Sequence, residues 1–200
     1  MTEHAFAPFV RTLGRGKRAR RSLTREEARE AMQAILDGNV EDIQLGAFLM
    51  LLRVKEETPD ELAGFLDACR PACYQALAEL PHVELDWPSY AGKKKHHPWY
   101  LLATVLLATN GIRTFLHGGP AHTPNRVYTD QLLPQLGLPV AQTVAEAHAH
   151  LEEHGLAYLP LEQFCPALAR TLTLRYFCPF YPPSAALHPL CLHHLGRRTI

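Results

Sequence analysis

Three consecutive lysines, Lys93–Lys95, stand between the two tryptophans of the chain, Trp87 and Trp99. Ammonium groups this close together repel one another, and a run of phosphates relieves that repulsion. With Tyr90, the two indoles offer ring faces on which bases can stack while the lysines contact phosphates, as in sequence-tolerant single-strand binders. Glycine and proline in the stretch from 85 to 99 predict an exposed loop. The same pattern also fits a solvated basic loop whose tryptophans lie in the core.

A second group of cations lies near the N-terminus. Residues 11–25 contain seven basic residues and no acid, although Lys+Arg and Asp+Glu each total 20 over the whole chain. This segment has little to bury, so we predict an arm or a mobile loop, the alternative being a solvated linker. The predicted phosphate contacts are Arg15, Lys17, Arg18, Arg20, Arg21, Lys93, Lys94 and Lys95, and the path is extended by Arg113, His117 and Arg126.

Composition excludes several classes of protein. With 47% hydrophobic and 20% charged residues, the chain is typical of a globular protein. It has no run of ~18 apolar residues and no secretory leader, and its five cysteines are scattered, so we expect a reducing, cytoplasmic location. Cys69 and Cys73 are four apart but lack a second pair at zinc-ligand spacing. We therefore predict no metal ligand and no catalytic residue.

The first part of the chain predicts three amphipathic helices. Thr24 and Glu27 form a capping box that opens the first helix, and Gly38 ends it. Apolar residues at helical spacing from Leu45 to Leu52 predict the second, and Thr58 followed by Pro59 opens the third. A short apolar segment before Gly14 predicts one or two further helical turns. Three such helices with short joints make a small helical domain.

Helices and strands alternate in the next part. This order predicts a mostly parallel sheet covered by helices, and hence an α/β fold after a small N-terminal helical domain. The predicted elements are a buried helix over 99–109, a strand over 112–117, a helix over 127–135, a helix from the capping box at Thr143 to Gly155, a strand over 156–159 and a helix over 161–174, which Pro166 can kink or delay. The predicted divisions are 1–78 (helical, with the basic arm), 79–175 (α/β) and 176–200 (tail).

Several segments resemble glycosyltransferase family 3, represented by anthranilate phosphoribosyltransferase. The resemblance runs through Leu23–Ala28 and Gln44–Gly64, then through His117-Gly118 and Leu151–Tyr158. It implies a helical domain that mediates dimerisation and an α/β domain. It also implies transfer of a phosphoribosyl group from its diphosphate donor to anthranilate, with magnesium neutralising the pyrophosphate.

The chain departs from these enzymes at the donor site. Their Gly-Thr-Gly-Gly-Asp loop, whose backbone amides hold pyrophosphate, corresponds here to the residues from Asp86 to Trp99, where rings and proline replace glycine. The same stretch and the Gly14–Lys17 arm resemble the divergent YbiB-type branch. That resemblance implies a homodimer that binds nucleic acid without marked sequence preference, lacks transferase activity and needs no cofactor.

Three functions stay open at this point. The first is a nucleic-acid binder on a transferase-like scaffold, and the second is a working phosphoribosyltransferase that uses magnesium. The third is an interaction module that dimerises through its helical domain. The tail, residues 176–200, is rich in proline and histidine and unlike the family, so we expect a truncated or frame-changed α/β domain.

Overall fold

A computed structural model describes residues 3–16, 18–90, 92–119 and 125–173. Lys17 and the predicted tail lie outside the described residues. The chain divides into two compact units, which we call the helical unit (up to residue 72) and the sheet unit (73 to 173). Within the described ranges, no helix is long and apolar enough to cross a membrane.

The helical unit contains the predicted amphipathic helices. They are α1 (Ala7–Gly14), α2 (Arg25–Leu36), α3 (Asp42–Lys55) and α4 (Pro59–Ala76), of which α4 continues into the sheet unit. Thr24 Oγ1 accepts a hydrogen bond from the amide of Glu27, and the Glu27 carboxylate accepts one from the amide of Thr24, which confirms the predicted capping box. Pro59 is the first residue of α4, also as predicted.

Three phenylalanine rings in contact with one another form the core of the helical unit. The Phe6 and Phe48 rings pack edge to face at 5.2 Å, and Phe48 meets Phe65 at 6.3 Å. All three rings are buried, and burial of each contributes about 1.5–3 kcal/mol. Phe6 directly precedes α1 and Phe48 lies on α3, so this core joins the apolar N-terminal patch to the helices predicted after it.

A three-stranded parallel sheet organises the sheet unit. The strands β1 (Leu85–Pro88), β2 (Thr114–Gly118) and β3 (Leu156–Pro160) lie side by side in that order. The helices of this unit are α5 (Tyr100–Thr109), α6 (Thr129–Leu132), a 3₁₀ turn (Pro134–Leu136), α7 (Val144–His154), α8 (Leu161–Phe164) and α9 (Pro166–Thr173). The fold prediction, a helical domain followed by an α/β region with a parallel sheet, is confirmed.

Three local predictions are corrected. Residues 85–88 form β1 rather than loop, because they pair with β2 and the proline comes last, where a missing amide donor costs little. Helix α5 is not buried throughout, since Leu102 and Leu106 are more than half exposed. Val127 lies outside α6 in a bridge to Lys93. The helix predicted over 161–174 is interrupted at Cys165, where the backbone leaves helical geometry, and it resumes at Pro166, in agreement with the break predicted at this proline.

Candidate functional site

The carboxyl ends of β1 and β2 meet at one edge of the sheet. The segment between β1 and α5, residues 89–99, leaves from this edge, and we call it the basic loop. The Ser89 amide donates a hydrogen bond to the His117 carbonyl at 2.7 Å, and Ser89 Oγ donates to the same oxygen at 3.0 Å. In open parallel sheets, ligands bind at this end of the strands. We therefore call the residues around Ser89 and Gly118 the sheet edge.

A buried triad of polar side chains lies under the sheet edge. The Tyr90 hydroxyl is 2.8 Å from Nδ1 of His117, and Nε2 of His117 is 3.0 Å from Oδ1 of Asp86. The latter pair lies at ion-pair distance without hydrogen-bond alignment. His117 has no exposed surface and Tyr90 has 4%. The predictions of His117 as a phosphate contact and Tyr90 as a stacking ring are therefore wrong, because neither reaches the surface.

Tyrosine rings occupy the space beside the glycines of the sheet edge. A Cβ added to Gly92 would lie 2.6 Å from the Tyr128 ring, and one added to Gly118 would lie 2.8 Å from the Tyr158 hydroxyl. Both tyrosines are buried. These rings were not predicted as part of the site, since nothing in the local sequence shows that Tyr128 and Tyr158 converge on this edge.

Hydroxyl groups line the remaining part of the sheet edge. The Tyr100 hydroxyl lies 2.5 Å from Oγ1 of Thr129. Burial raises the pKa of Tyr100, of Tyr158 and of the Asp130 carboxyl above their usual values. Neutral hydroxyls can donate hydrogen bonds to an anion but supply no charge to hold one. The cations of the site must come from the loop.

The loop is fixed at Lys93 and exposed after it. The amide of Lys93 donates to the carbonyl of Val127 at 2.9 Å, and the reverse bond measures 3.0 Å. Nζ of Lys93 lies 5.7 Å from the centre of the Tyr100 ring, a cation–π contact. Lys94 and Lys95 are exposed, and no acidic partner faces them among the described residues.

Trp87 in β1 and Trp99 in the loop differ in availability. Trp87 is half-buried and stacks on Tyr100 at 5.8 Å with 23° between the rings. Trp99 is 65% exposed. It contacts the His97 ring edge to face at 5.6 Å. Trp99 is therefore the member of the predicted stacking set whose ring faces solvent.

Other predicted cations are partly committed to protein contacts. Arg126 donates to the Gly92 carbonyl at 3.0 Å, and Arg113 lies 3.5 Å from the Glu152 carboxylate. Arg21 makes two 2.6 Å hydrogen bonds to Glu27. Arg15, Arg18 and Arg20 of the arm are exposed, and no ion pair joins them to an acidic side chain among the described residues. The arm belongs to the helical unit, whereas the loop and Arg113 and Arg126 belong to the sheet unit.

Metal-binding geometry is missing from the described ranges. There, no three His, Cys, Asp or Glu side chains come together in a way that could hold an ion. Cys69, Cys73 and Cys165 are buried cysteines in the thiol form. A hydrogen bond from the Cys73 thiol lowers the pKa of Cys165 to about 7.

Comparisons with known sequences relate this chain to one protein family. Residues 8–73 match the helical bundle domain of the glycosyl transferase family. The uncharacterized protein YbiB of Escherichia coli is 31% identical over 173 residues, covering 86% of this chain and 53% of its own length. The anthranilate phosphoribosyltransferase of Methylobacterium sp. is 33% identical over 158 residues, covering 78% and 44%. The chain thus spans about half the length of these relatives.

A solved structure agrees in fold. Anthranilate phosphoribosyltransferase from Thermus thermophilus superposes with a TM-score of 0.66 at 23% identity, covering 94% of this chain and 54% of that one. At this level of identity the likeness concerns the fold alone. It includes both the helical bundle and the α/β region.

Proposed function

The chain belongs to the anthranilate phosphoribosyltransferase-like glycosyl transferase family, and from that premise we propose that it binds nucleic acid without sequence preference and without transferase activity. The observation that carries the proposal is the exposure of Lys94 and Lys95 on a loop fixed at Lys93. Two unpaired ammonium groups beside each other lower their repulsion most by contacting successive phosphates. Arg15, Arg18 and Arg20 supply further cations from the helical unit.

The filled sheet edge supports binding over catalysis. Backbone amides hold a pyrophosphate only where the chain can approach it closely, which glycine-rich loops permit. Here Tyr90 is buried against His117, and the Tyr128 ring lies against Gly92. Among the described residues of this edge, the Tyr128 ring leaves no room for a phosphate beside Gly92, so phosphates are better contacted from the exposed lysines outside it.

A salt titration tests the proposal. Fluorescence anisotropy with a labelled 15-nucleotide strand and a 15-base-pair duplex should show affinity that falls linearly in log K against log salt concentration. Lys94→Ala and Lys95→Ala should each reduce that slope by about one. Arg53→Ala removes an exposed cation on α3 and should leave the slope nearly unchanged. Equal slopes in the wild type and in the Lys94→Ala/Lys95→Ala double variant would reject the loop as the contact.

A phosphoribosyltransferase is the second candidate, because several relatives carry that name. The substrates would be phosphoribosyl diphosphate and anthranilate, with magnesium required. Its catalysis would depend on positioning and on charge stabilisation by the lysines. Calorimetry that shows tight, magnesium-dependent binding of phosphoribosyl diphosphate would favour this function over the first.

We also propose a homodimer formed through the helical unit in the cytoplasm. An open groove of about 380 Å³ lies between α1 and α3, lined by apolar residues such as Val10, Ile43 and Ala47. Ile43 is 83% exposed and lies in this groove with Val10 and Ala47, and a contiguous exposed apolar patch of this kind is typical of an interface. Ile43→Asp should convert a dimer to a monomer in analytical ultracentrifugation, whereas Arg53→Ala should not. A wild-type monomer at micromolar concentration would reject the proposal.

A further inference from the structure

We infer that the sheet unit prefers single-stranded nucleic acid, because Trp99 presents an indole on which an unpaired base stacks. This inference rests on the proposed nucleic-acid binding and names the class of strand. Trp99 is 65% exposed, although tryptophan usually buries most of its large apolar surface. An exposed indole beside cations fits a ligand that is flat, apolar on its faces and negatively charged along its backbone.

Local contacts hold the indole in a defined orientation. The Trp99 amide donates to the His97 carbonyl at 2.9 Å, and the His97 ring meets the indole edge to face at 5.6 Å and 76°. Directly after Trp99, α5 begins at Tyr100. A ring fixed in this way loses little conformational freedom when a base stacks on it, so less of the stacking free energy is spent on ordering the protein.

The other predicted stacking residues, Trp87 in β1 and Tyr90 in the loop, are engaged within the protein. Trp87 stacks on Tyr100, and the Tyr90 ring is buried with its hydroxyl on His117. Trp99 is therefore the stacking platform of this loop. In a duplex the faces of internal bases already stack on their neighbours, so an exposed indole meets such a face only where a base is unpaired or terminal.

Charge complementarity distinguishes a nucleic acid from an apolar partner. Leu102 and Leu106 are 52% and 64% exposed on α5 and extend the apolar surface away from Trp99. Lys94 and Lys95 lie exposed on the other side of Trp99 along the chain. A strand whose base covers the indole can place its phosphates near these ammonium groups, whereas an apolar protein segment gains nothing from them.

The test separates stacking from charge by changing the ligand. A fluorescein-labelled oligomer of 12 thymidines is compared with an abasic 12-mer that keeps the same phosphates. Stacking contributes about 1–3 kcal/mol per base, so the wild type should bind the thymidine oligomer roughly 5- to 150-fold more tightly. Trp99→Ala should bind the two ligands equally, and Trp99→Phe should keep part of the preference. Trp87 fluorescence checks that the variants remain folded.

Leu102→Ala and Leu106→Ala are the matched controls, since they remove exposed apolar surface without a ring. Both should keep the wild-type preference for the thymidine oligomer. Equal wild-type affinity for both oligomers would overturn the single-strand inference and leave the proposed function in place. The inference is also overturned if Leu106→Ala removes the preference as Trp99→Ala does, or if Trp99→Ala changes the oligomeric state. Absence of salt-dependent binding to either oligomer would overturn the proposed function together with the inference.

Discussion

The hydroxyl of Tyr90 lies 2.8 Å from Nδ1 of His117, and this contact joins the start of the basic loop to the central strand of the described sheet. Both residues are buried. His117 is also enclosed by rings, since Phe115 stacks on it at 5.6 Å and Phe164 meets it edge to face at 5.9 Å. In such surroundings a polar atom without a partner is costly.

Tyr90→Phe should therefore destabilise the sheet unit. The change removes the hydroxyl and leaves Nδ1 of His117 buried without that partner, at a cost of about 1–3 kcal/mol in the free energy of unfolding. Urea denaturation followed by tryptophan fluorescence measures it, because both tryptophans belong to the sheet unit. Ser89→Ala serves as the control, since the Ser89 amide still donates to the His117 carbonyl. Equal stability of Tyr90→Phe and the wild type would contradict the prediction.

Two helical glycines should respond to alanine in opposite directions. A Cβ at Gly64 in α4 would collide with the Arg25 carbonyl oxygen and lie 2.8 Å from Cβ of Ala28, whereas one at Gly46 in α3 meets nothing. Gly64→Ala should cost about 1–3 kcal/mol through overpacking of α2 against α4. Gly46→Ala should gain about 0.5–1 kcal/mol. Thermal unfolding followed by circular dichroism measures the stability of both variants. A Gly64→Ala variant more stable than the wild type would contradict the prediction, because it would show that α2 and α4 can move apart at no cost.

The Lys55–Glu61 pair should be essential to the helical unit. Nζ of Lys55 lies 2.7 Å from Oε2 of Glu61, both side chains are almost fully buried, and Oε1 accepts from the Leu23 amide at 2.9 Å. Glu61→Gln leaves the ammonium buried without a counter-charge and should cost about 3–5 kcal/mol.

The control for this pair is Glu26→Gln, because the Glu26–Arg29 pair is exposed and should contribute little to stability. Chemical denaturation monitored by far-ultraviolet circular dichroism gives both values. If the two glutamine variants are destabilised equally, burial does not decide the strength of these pairs.

Stability should fall in acid through Glu27. The hydrogen bonds from Arg21, followed by those from Thr24, lower the pKa of Glu27 from 4.5 to about 2 in the folded chain. A depressed folded pKa gives stability that is present above pH 4.5 and lost as the pH falls towards 2. Because Glu27 is 31% exposed, solvent screening reduces this contribution to about 1 kcal/mol.

Glu27→Gln tests the charge alone, since glutamine can keep the capping box. The difference in unfolding free energy between the wild type and this variant should be about 1 kcal/mol at pH 7 and approach zero near pH 2. In an Arg21→Ala background the pH-dependent difference should shrink. A difference that stays constant from pH 7 to pH 2 would show that the Glu27 charge contributes nothing.

Local signals made the helices predictable. The Thr24 capping box and Pro59 at the start of α4 involve residues within one turn, so the sequence alone contains the interaction. The strand β1 was missed because Trp87 and Pro88 lie in a stretch that reads as a loop, and only pairing with β2 makes it a strand. Tertiary contacts of this kind override local preference.

The site was predictable only in part. Exposed lysines follow from charge and from their neighbours in the chain, and Lys94 and Lys95 are exposed. The burial of Tyr90 and His117 depends on rings from Phe115 and Phe164, which no local pattern relates to the basic loop. Sequence reasoning assigned these two residues to the surface because tyrosine and histidine occur in both environments.

The paired backbone hydrogen bonds between Lys93 and Val127 have a kinetic consequence for the two lysines that follow. In the proposed function, an incoming strand would meet charges whose attachment point is already set, because the polypeptide is held directly before Lys94. We therefore expect association to need no slow rearrangement of this segment and to be limited by diffusion and electrostatic attraction. Differences in affinity among ligands should accordingly arise from how long each one stays bound.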